Sequence, residues 1–142
     1  MFYGQARHTI DAKGRIILPS KYRDSLGESF FVMRGREKQA CLYIYSTDGF
    51  NEFKEKIKAI PDANGGSAFK RFIFNNTEEV VNDKQGRFVI PTRLKEYANL
   101  EKEIMIVGTD DRIEIWDASV YEGTETQFTN DNVVEFMEKY GI

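Results

Sequence analysis

The pattern of apolar and polar positions runs through this chain twice. Residues 10–19, a polar turn between apolar positions that ends in a proline, recur as residues 82–91, 72 positions later. Runs typical of a short helix and of two further strands follow each copy, so each is predicted to fold as β-β-α-β-β. A duplicated unit that cannot close its own core packs against its twin. The repeat therefore predicts two units related by a pseudo-two-fold axis.

Local spacing predicts the elements of the first copy. Arg7–Ile10 and Ile16–Leu18 are expected to form the two arms of a hairpin. Pro19 suits the first turn of a short helix, where its missing N–H costs nothing, and Tyr22 and Leu26 would share one face of that helix. The proline of the second copy begins the same arrangement.

Helical periodicity characterises the segments outside the two copies. Between them, apolar residues recur three and four positions apart and stop at Pro61, and a second short helix is expected around Ala68–Ile73. Near the end, Val133–Tyr140 predicts an amphipathic helix that packs on the two units or on a neighbouring subunit. The predicted organisation is a first unit at 5–47, a helical connector at 48–75, a second unit at 76–119 and a tail with a helix at 120–142.

Both copies contain the turn Asp-x-x-Gly-Arg, at Asp11–Arg15 and Asp83–Arg87. The Asp side chain can accept hydrogen bonds from backbone N–H groups further round such a turn, and the glycine can take the positive φ of a type I turn followed by a bulge. Each turn also carries a lysine. The candidate site residues are the cations Lys13, Arg15, Lys84 and Arg87 and the turn formers Asp11, Gly14, Asp83 and Gly86.

Two interpretations of these turns are open. The Asp and Arg of each turn could form only a cross-turn ion pair that steadies a hairpin, worth less than about 1 kcal/mol at an exposed position. Alternatively, the two turns display cations for the recognition of a polyanion. Because both copies keep a lysine as well as an arginine, the recognition surface is the favoured interpretation.

The distribution of charge bears on this interpretation. The 142 residues carry a formal charge of −3 and a pI near 5.3, whereas nucleic-acid-binding domains are often strongly basic. Residues 1–71 hold 13 Lys and Arg against 8 Asp and Glu, while residues 72–142 hold 7 against 15. An acidic protein can still bind a polyanion when its cations lie on one face, as protruding turns would allow.

Length and composition favour one compact domain, since 41% of the residues are hydrophobic and 13% are aromatic. No apolar run approaches the ~18 residues of a transmembrane helix, and no signal-peptide pattern opens the chain, so a cytoplasmic location is expected. The single cysteine, Cys41, lies in the strand-like run Cys41–Tyr45. It is expected to be a buried small hydrophobe rather than a reactive thiol.

Catalytic chemistry has few candidates in this chain. His8 is the only histidine, which makes a Ser-His or Cys-His pair hard to build and leaves at most one histidine ligand for a metal. The glycines at 65–66 lack the lysine and the preceding strand of a phosphate-binding loop, and the acids at 110–111 are typical of a hairpin turn. We therefore expect no enzymatic activity, no cofactor, no metal and no small-molecule substrate.

Several motifs together closely resemble the bacterial MraZ transcriptional regulators. The resemblance runs from residue 1 to about Tyr121 and is carried by Met1–Gly4, His8–Arg15, Pro19, Asp83–Arg87 and Arg112–Trp116. It implies a mainly β fold with short helices (α+β), in which two AbrB-like swapped-hairpin units form a pseudo-two-fold β-barrel. It also implies that the cations and turn formers named above belong to a DNA-contacting motif. The loops differ in one respect, because Lys84 follows its Asp directly whereas Lys13 lies one position later.

The same resemblance implies a function. The family members form ring-shaped homo-oligomers, associate with the nucleoid and bind short direct repeats upstream of division and cell-wall genes. Double-stranded DNA and further copies of the chain are thus the expected partners, without a membrane. Sequence-specific DNA binding that represses transcription is the expected activity.

Two other functions are open from the sequence. An AbrB-type antitoxin would bind DNA through the units and neutralise a toxin through the irregular acidic tail from Gly123. A protein-interaction scaffold would instead use the acidic second half of the chain. Salt-dependent DNA binding would exclude the scaffold.

Overall fold

The computed structural model describes residues 1–142 and contains eight strands and six helices. The first copy of the repeat contains β1 (Gln5–Thr9), β2 (Arg15–Ile17), α1 (Ser20–Leu26), β3 (Ser29–Arg34) and β4 (Leu42–Ser46). Between the copies lie α2 (Thr47–Lys58) and α3 (Gly66–Asn75). The second copy contains β5 (Thr77–Val81), β6 (Arg87–Val89), α4 (Thr92–Tyr97), β7 (Glu103–Gly108) and β8 (Ile113–Asp117), and α5 (Ala118–Glu125) and α6 (Asn130–Lys139) follow it. Both copies therefore fold as β-β-α-β-β, as predicted.

The strands form two separate antiparallel sheets. Six of them form a sheet in the order β1-β7-β8-β4-β3-β5, and β2 pairs only with β6. The predicted first hairpin is wrong in its pairing, because β1 lies against β7 and not against β2. Ile16 of β2 and Phe88 of β6 are opposite each other and bury their side chains in one shared core. Each copy thus covers apolar surface of the other, which local pairing within one copy would leave exposed.

The registers of the ladders obey a pseudo-two-fold relation. Gln5 of β1 lies opposite Val107 of β7, and Thr77 of β5 lies opposite Met33 of β3. Both ladders join the first strand of one copy to the third strand of the other, and Thr77 lies 72 positions after Gln5. The ladders β4–β8 and β2–β6 pair equivalent strands of the two copies. The copies have therefore exchanged strands about a common axis.

The ladders do not join into a closed barrel. β1 and β5 are the edges of the six-stranded sheet, and the β2–β6 ladder, only three residue pairs long, stands apart from it. The mixed α+β class predicted from the sequence is confirmed, whereas a closed barrel is not.

The β2–β6 ladder covers one face of the sheet. The rings of Phe30 and Phe88 meet edge to face in the core between them, with centroids 5.0 Å apart. Tyr22 of α1 and Leu94 of α4 point into the same core, as their spacing predicts. Burial of each such large side chain contributes about 1.5–3 kcal/mol, so this core holds the ladder on the sheet.

The opposite face of the sheet packs against helices. Phe50 of α2 stacks on Phe31 of β3 with ring centroids 4.0 Å apart, beside a second core of ten buried residues. Cys41 lies fully buried in that core, and burial raises the pKa of its thiol. The expectation of a buried small hydrophobe at this position is confirmed.

Capping side chains begin three of the four helices outside the two copies, α2, α5 and α6. Ser46 caps α2 by accepting a hydrogen bond from the Gly49 N–H, and α2 ends at Lys58, ahead of Pro61. Asp117 caps α5, a helix that the sequence pattern did not predict. Among the six helices, none combines the length and the apolar character that crossing a bilayer requires.

The C-terminal helix α6 leaves its apolar side chains uncovered. Val134, Phe136 and Met137 expose 46–53% of their surface, and Tyr140, just after the helix, exposes 63%. The expected packing of this helix on the two units is therefore not observed. Packing on a neighbouring subunit stays a prediction.

Candidate functional site

The first Asp-x-x-Gly-Arg turn connects β1 to β2. The Gly14 N–H donates to the Asp11 carbonyl at 2.9 Å, and the Asp11 N–H donates to the Arg15 carbonyl at 3.2 Å. Gly14 has a φ of +78°, the left-handed conformation that favours glycine. This is the four-residue turn followed by a bulge that the sequence predicts.

The Asp11 side chain organises this turn. Its Oδ1 accepts hydrogen bonds from the backbone N–H groups of Lys13, at 2.9 Å, and of Arg15, at 2.8 Å. Its Oδ2 accepts a further bond from Arg15 Nε at 2.6 Å. One carboxylate therefore fixes both the path of the backbone and the orientation of the guanidinium.

The second turn, between β5 and β6, repeats these bonds one for one. Asp83 Oδ1 accepts from the N–H groups of Gln85, at 2.8 Å, and of Arg87, at 2.9 Å, and Oδ2 accepts from Arg87 Nε at 2.9 Å. The Gly86 N–H donates to the Asp83 carbonyl at 3.0 Å, and Gly86 has a φ of +76°. The duplication in sequence is thus a duplication in geometry.

The outer ends of the two guanidinium groups are free. Only Nε of Arg15 and of Arg87 bonds to the chain, so neither Nη1 nor Nη2 of either residue has a partner within it. The two side chains expose 33% and 31% of their surface, respectively. The cross-turn ion pair therefore exists, and it orients the guanidinium without occupying the two nitrogens that could bind a ligand side by side.

The β2–β6 ladder brings the two arginines onto one surface. Arg15 lies opposite Val89, and Ile17 lies opposite Arg87. Because side chains alternate between the faces of a strand, these four residues share the outward face, while Ile16 and its partner on β6 point into the core. The two arginines are diagonal neighbours across the ladder. The backbones of such neighbours are about 7–8 Å apart.

The two lysines of the motif lie in the turns at either end of this ladder. Lys13 and Lys84 are exposed and make no ion pair within the chain. All four cations singled out from the sequence are therefore near one another in the fold. Asp11 and Asp83 are beside them as the residues that hold the turns.

Two further cations, which sequence reasoning missed, lie against the turns. Arg23 of α1 contacts Gly86 of the second turn, so that a Cβ at Gly86 would collide with its guanidinium. Lys95 of α4 lies beside Gly14, with its Cδ 4.0 Å from where a Cβ would stand. The signal was present in the repeat, since Arg23 and Lys95 are 72 positions apart. Only the strand exchange shows that each helix serves the turn of the other copy.

Hydrogen bonding holds both turn carboxylates in their charged form. The N–H of Arg15 is the main cause that lowers the pKa of Asp11 below 3.8; desolvation opposes it, and the Arg15 guanidinium adds to the lowering. The N–H of Arg87 lowers the pKa of Asp83 in the same way. The anionic oxygens that orient the arginines are therefore present at neutral pH.

Other chemistry at this surface is limited. No group of three or more His, Cys, Asp or Glu side chains is placed to hold a metal ion. His8 lies half-buried on β1, between the exposed residues Arg7 and Thr9. The arrangement offers paired hydrogen-bond donors and positive charge, which suit a ligand rich in acceptor oxygens and nitrogens.

Comparison with known proteins identifies the family. A family model described as "MraZ protein, putative antitoxin-like" matches residues 1–71 and 73–138. The match extends past Tyr121, where the resemblance visible in the sequence fades.

Several relatives are similar over their whole length. The "Transcriptional regulator MraZ" of Acetivibrio thermocellus is 41% identical over 145 aligned positions, and that of Caldanaerobacter subterraneus subsp. tengcongensis is 38% identical over 145. The protein of the same name in Clostridium tetani is 41% identical over 144 positions. Each alignment covers all of this chain and all of the relative. The chain belongs to the MraZ family.

Proposed function

We propose that this chain is a sequence-specific DNA-binding regulator of transcription without enzymatic activity. The observation that carries the proposal is the pair of arginines on the β2–β6 ladder. Each is held at Nε by a turn carboxylate and keeps Nη1 and Nη2 free. The relatives named as transcriptional regulators support the same function.

The outward face of the ladder suits the major groove of DNA. A two-stranded ribbon fits that groove, and an arginine presenting two parallel N–H groups can bond O6 and N7 of guanine. In the proposed mechanism Arg15 and Arg87 contact bases, while Lys13 and Lys84 contact bases or phosphates. Asp11, Gly14, Asp83 and Gly86 are positioning residues in this mechanism. The units 5–47 and 76–119 carry it, joined by the connector 48–75 and followed by the tail 120–142.

Tight binding through so few cations calls for several chains acting together. The four motif cations would release only about four counterions from DNA, which gives weak binding at physiological salt. A ring-shaped homo-oligomer would present many copies and gain about 10²–10⁴-fold in avidity on a series of short direct repeats. We propose this assembly at the nucleoid in the cytoplasm, acting as a repressor of the division and cell-wall gene cluster.

Removal of both arginines tests the mechanism. We expect the double variant Arg15→Ala, Arg87→Ala to lose operator binding in fluorescence anisotropy while its circular dichroism spectrum and assembly are unchanged. Lys56→Ala is the matched control, because it removes a cation from α2 on the opposite face of the sheet. If the double variant keeps its operator affinity, the Asp–Arg ion pairs have a structural role only.

Operator length tests the assembly. We expect affinity to fall about 10²–10⁴-fold when the operator is cut from several repeats to one. The slope of log affinity against log salt should also exceed the value that four cations provide, about −0.9 for each phosphate contacted. A stable monomer in light scattering, with equal affinity for one repeat and for several, would overturn the ring.

An AbrB-type antitoxin is the second candidate. The apolar face of α6, with Val134, Phe136 and Met137 exposed, favours it because a toxin could cover that face. Expression of the chain alone and together with its genomic neighbours would separate the two functions. A stable complex with one neighbour, lost when α6 is removed, would support the antitoxin. An acidic interaction scaffold would be supported by the absence of salt-dependent DNA binding.

A further inference from the structure

The outward face of the β2–β6 ladder carries two aliphatic side chains that the core does not use. Ile17 exposes 45% of its surface and Val89 exposes 53%. Their neighbours along the strands, Ile16 and Phe88, are 1% and 2% exposed. A single exposed aliphatic residue is ordinary. Here two stand at equivalent positions of the two copies, each in the middle of the candidate recognition surface.

Each aliphatic side chain is paired with an arginine across the ladder. Ile17 lies directly opposite Arg87, and Val89 lies directly opposite Arg15. Residues opposite each other in an antiparallel ladder have Cβ atoms about 4.5–5.5 Å apart. The face therefore consists of two adjacent pairs, each with one free guanidinium end and one branched hydrocarbon side chain.

The chemistry of such a pair matches one feature of the major groove. Guanine presents O6 and N7 to an arginine, and thymine presents its C5-methyl group, which favours apolar contact. Successive bases along one DNA strand are about 3.4 Å apart. A pair with a separation of 4.5–5.5 Å can therefore reach a guanine and a thymine that are one or two steps apart.

On this basis we infer that Ile17 and Val89 are specificity-determining residues that contact thymine methyl groups beside the guanines bound by Arg87 and Arg15. The inference rests on the proposed DNA-binding function. It adds which two bases are recognised close to each other. The recognised sequence contains guanine and thymine within two positions of each other, once for each half of the ladder. Because the side chain of Ile17 is longer than that of Val89, the two halves of the ladder distinguish thymine from other bases to different degrees.

Replacement of thymine by deoxyuridine tests this directly, because it removes the methyl group and keeps base pairing. The probe is a duplex that the wild-type protein selects from a random pool, with each thymine replaced singly. We expect at least one replacement to weaken wild-type binding about fourfold, the effect of one buried carbon group. The variant Ile17→Ala should weaken binding to the thymine duplex by a similar factor. It should also lose the effect of the deoxyuridine replacement at the thymine that Ile17 contacts, while any replacement at the thymine contacted by Val89 still weakens its binding.

Val81→Ala is the matched control, because Val81 is a 63% exposed valine on the edge strand β5, outside the ladder. It should leave both affinities unchanged. If the wild-type protein selects no duplex, the proposed function fails and this inference fails with it. If the wild type binds and Arg15→Ala weakens that binding, but every deoxyuridine duplex binds as well as the thymine duplex, only the inference is overturned. A change of oligomeric state in Ile17→Ala, with thymine dependence retained, would make this face a protein interface and also overturn it.

Discussion

The two turns share a backbone and differ in the charges that they display. In both, the Asp side chain accepts three hydrogen bonds, the glycine has a positive φ and the Arg is held at Nε. Lys13 stands at the third position of the first turn, where the second has Gln85, and Lys84 stands at the second position. The helix behind each turn contributes Lys95 to the first turn and Arg23 to the second.

This difference separates the residues that form the turn from the charged residues that the turn displays. The bonds of Asp11 and Asp83 go to backbone N–H groups and to one arginine nitrogen, so they do not depend on which residues stand between. The intermediate positions are free to vary without loss of the turn. We therefore expect the two turns to orient their arginines alike and to contact DNA unequally through their lysines.

The largest effect is expected from the arginines taken one at a time. Arg15→Ala and Arg87→Ala should each weaken operator binding by about 1–3 kcal/mol, the usual contribution of a bidentate contact to guanine. Arg15→Lys should weaken it nearly as much, because an ammonium cannot form two parallel bonds. Anisotropy titrations on the operator and on a scrambled duplex at one salt concentration provide the measurement.

The scrambled duplex decides whether the two turns are equivalent. Equal losses confined to the operator would mean that both arginines recognise bases. If one variant weakens binding to both duplexes alike, that arginine contacts phosphate. If a variant unfolds at a lower temperature but its folded fraction binds the operator normally, the replaced arginine has only a structural role.

A comparable effect on stability is expected from the turn glycines. Gly14→Val and Gly86→Val place a β-branched residue at positive φ, which should lower the free energy of unfolding by about 1–3 kcal/mol. Gly86→Val should in addition displace the Arg23 guanidinium and so weaken DNA binding more than Gly14→Val does. Urea denaturation measures the first effect and anisotropy the second. Unchanged unfolding midpoints in both variants would contradict the assigned turn conformation.

The parts of this structure that follow local rules could be predicted from the sequence. The order β-β-α-β-β depends on short-range periodicity, and the turn depends on the backbone chemistry of Asp and Gly. The pseudo-two-fold relation depends on the repeat itself. Each of these signals lies within about ten residues or in a direct comparison of the two copies.

The missed features depend on contacts between distant segments. β1 pairs with β7 and β2 pairs with β6, where Ile16 and Phe88 pack in the shared core, and no local pattern encodes these pairings. The same exchange brings Arg23 and Lys95 to the turns of the opposite copies. Helix α5 was missed because its sequence has weak periodicity, although Asp117 is an ordinary capping residue.

Replacement of the lysines is expected to change DNA binding less than replacement of the arginines. It tests whether the two turns use their lysines differently. Lys13→Ala should lower the salt slope of DNA binding by about 1 for each chain bound if Lys13 contacts a phosphate. The double variant Ala12→Lys, Lys13→Gln gives the first turn the sequence of the second with no change in net charge. If both lysines contact only phosphate, this variant should keep the wild-type slope and sequence preference. A changed preference in a second selection would show that the lysine position contributes to base recognition.

The smallest effect concerns the turn carboxylates themselves. Carboxyl carbon NMR titration should give midpoints below 3.8 for both Asp11 and Asp83, since their pKa values are lowered mainly by backbone N–H groups. A lowered pKa in the folded state means that each carboxylate adds stability above its unfolded pKa, and that this contribution is lost as the pH falls through the folded value.

Arg15→Ala should raise the pKa of Asp11 only in part, because alanine keeps the backbone N–H that is the main cause. The pKa of Asp83 should not move, which makes the second turn the control for the first. A full return of Asp11 to 3.8 would mean that the guanidinium, rather than the turn backbone, holds the carboxylate in its charged form.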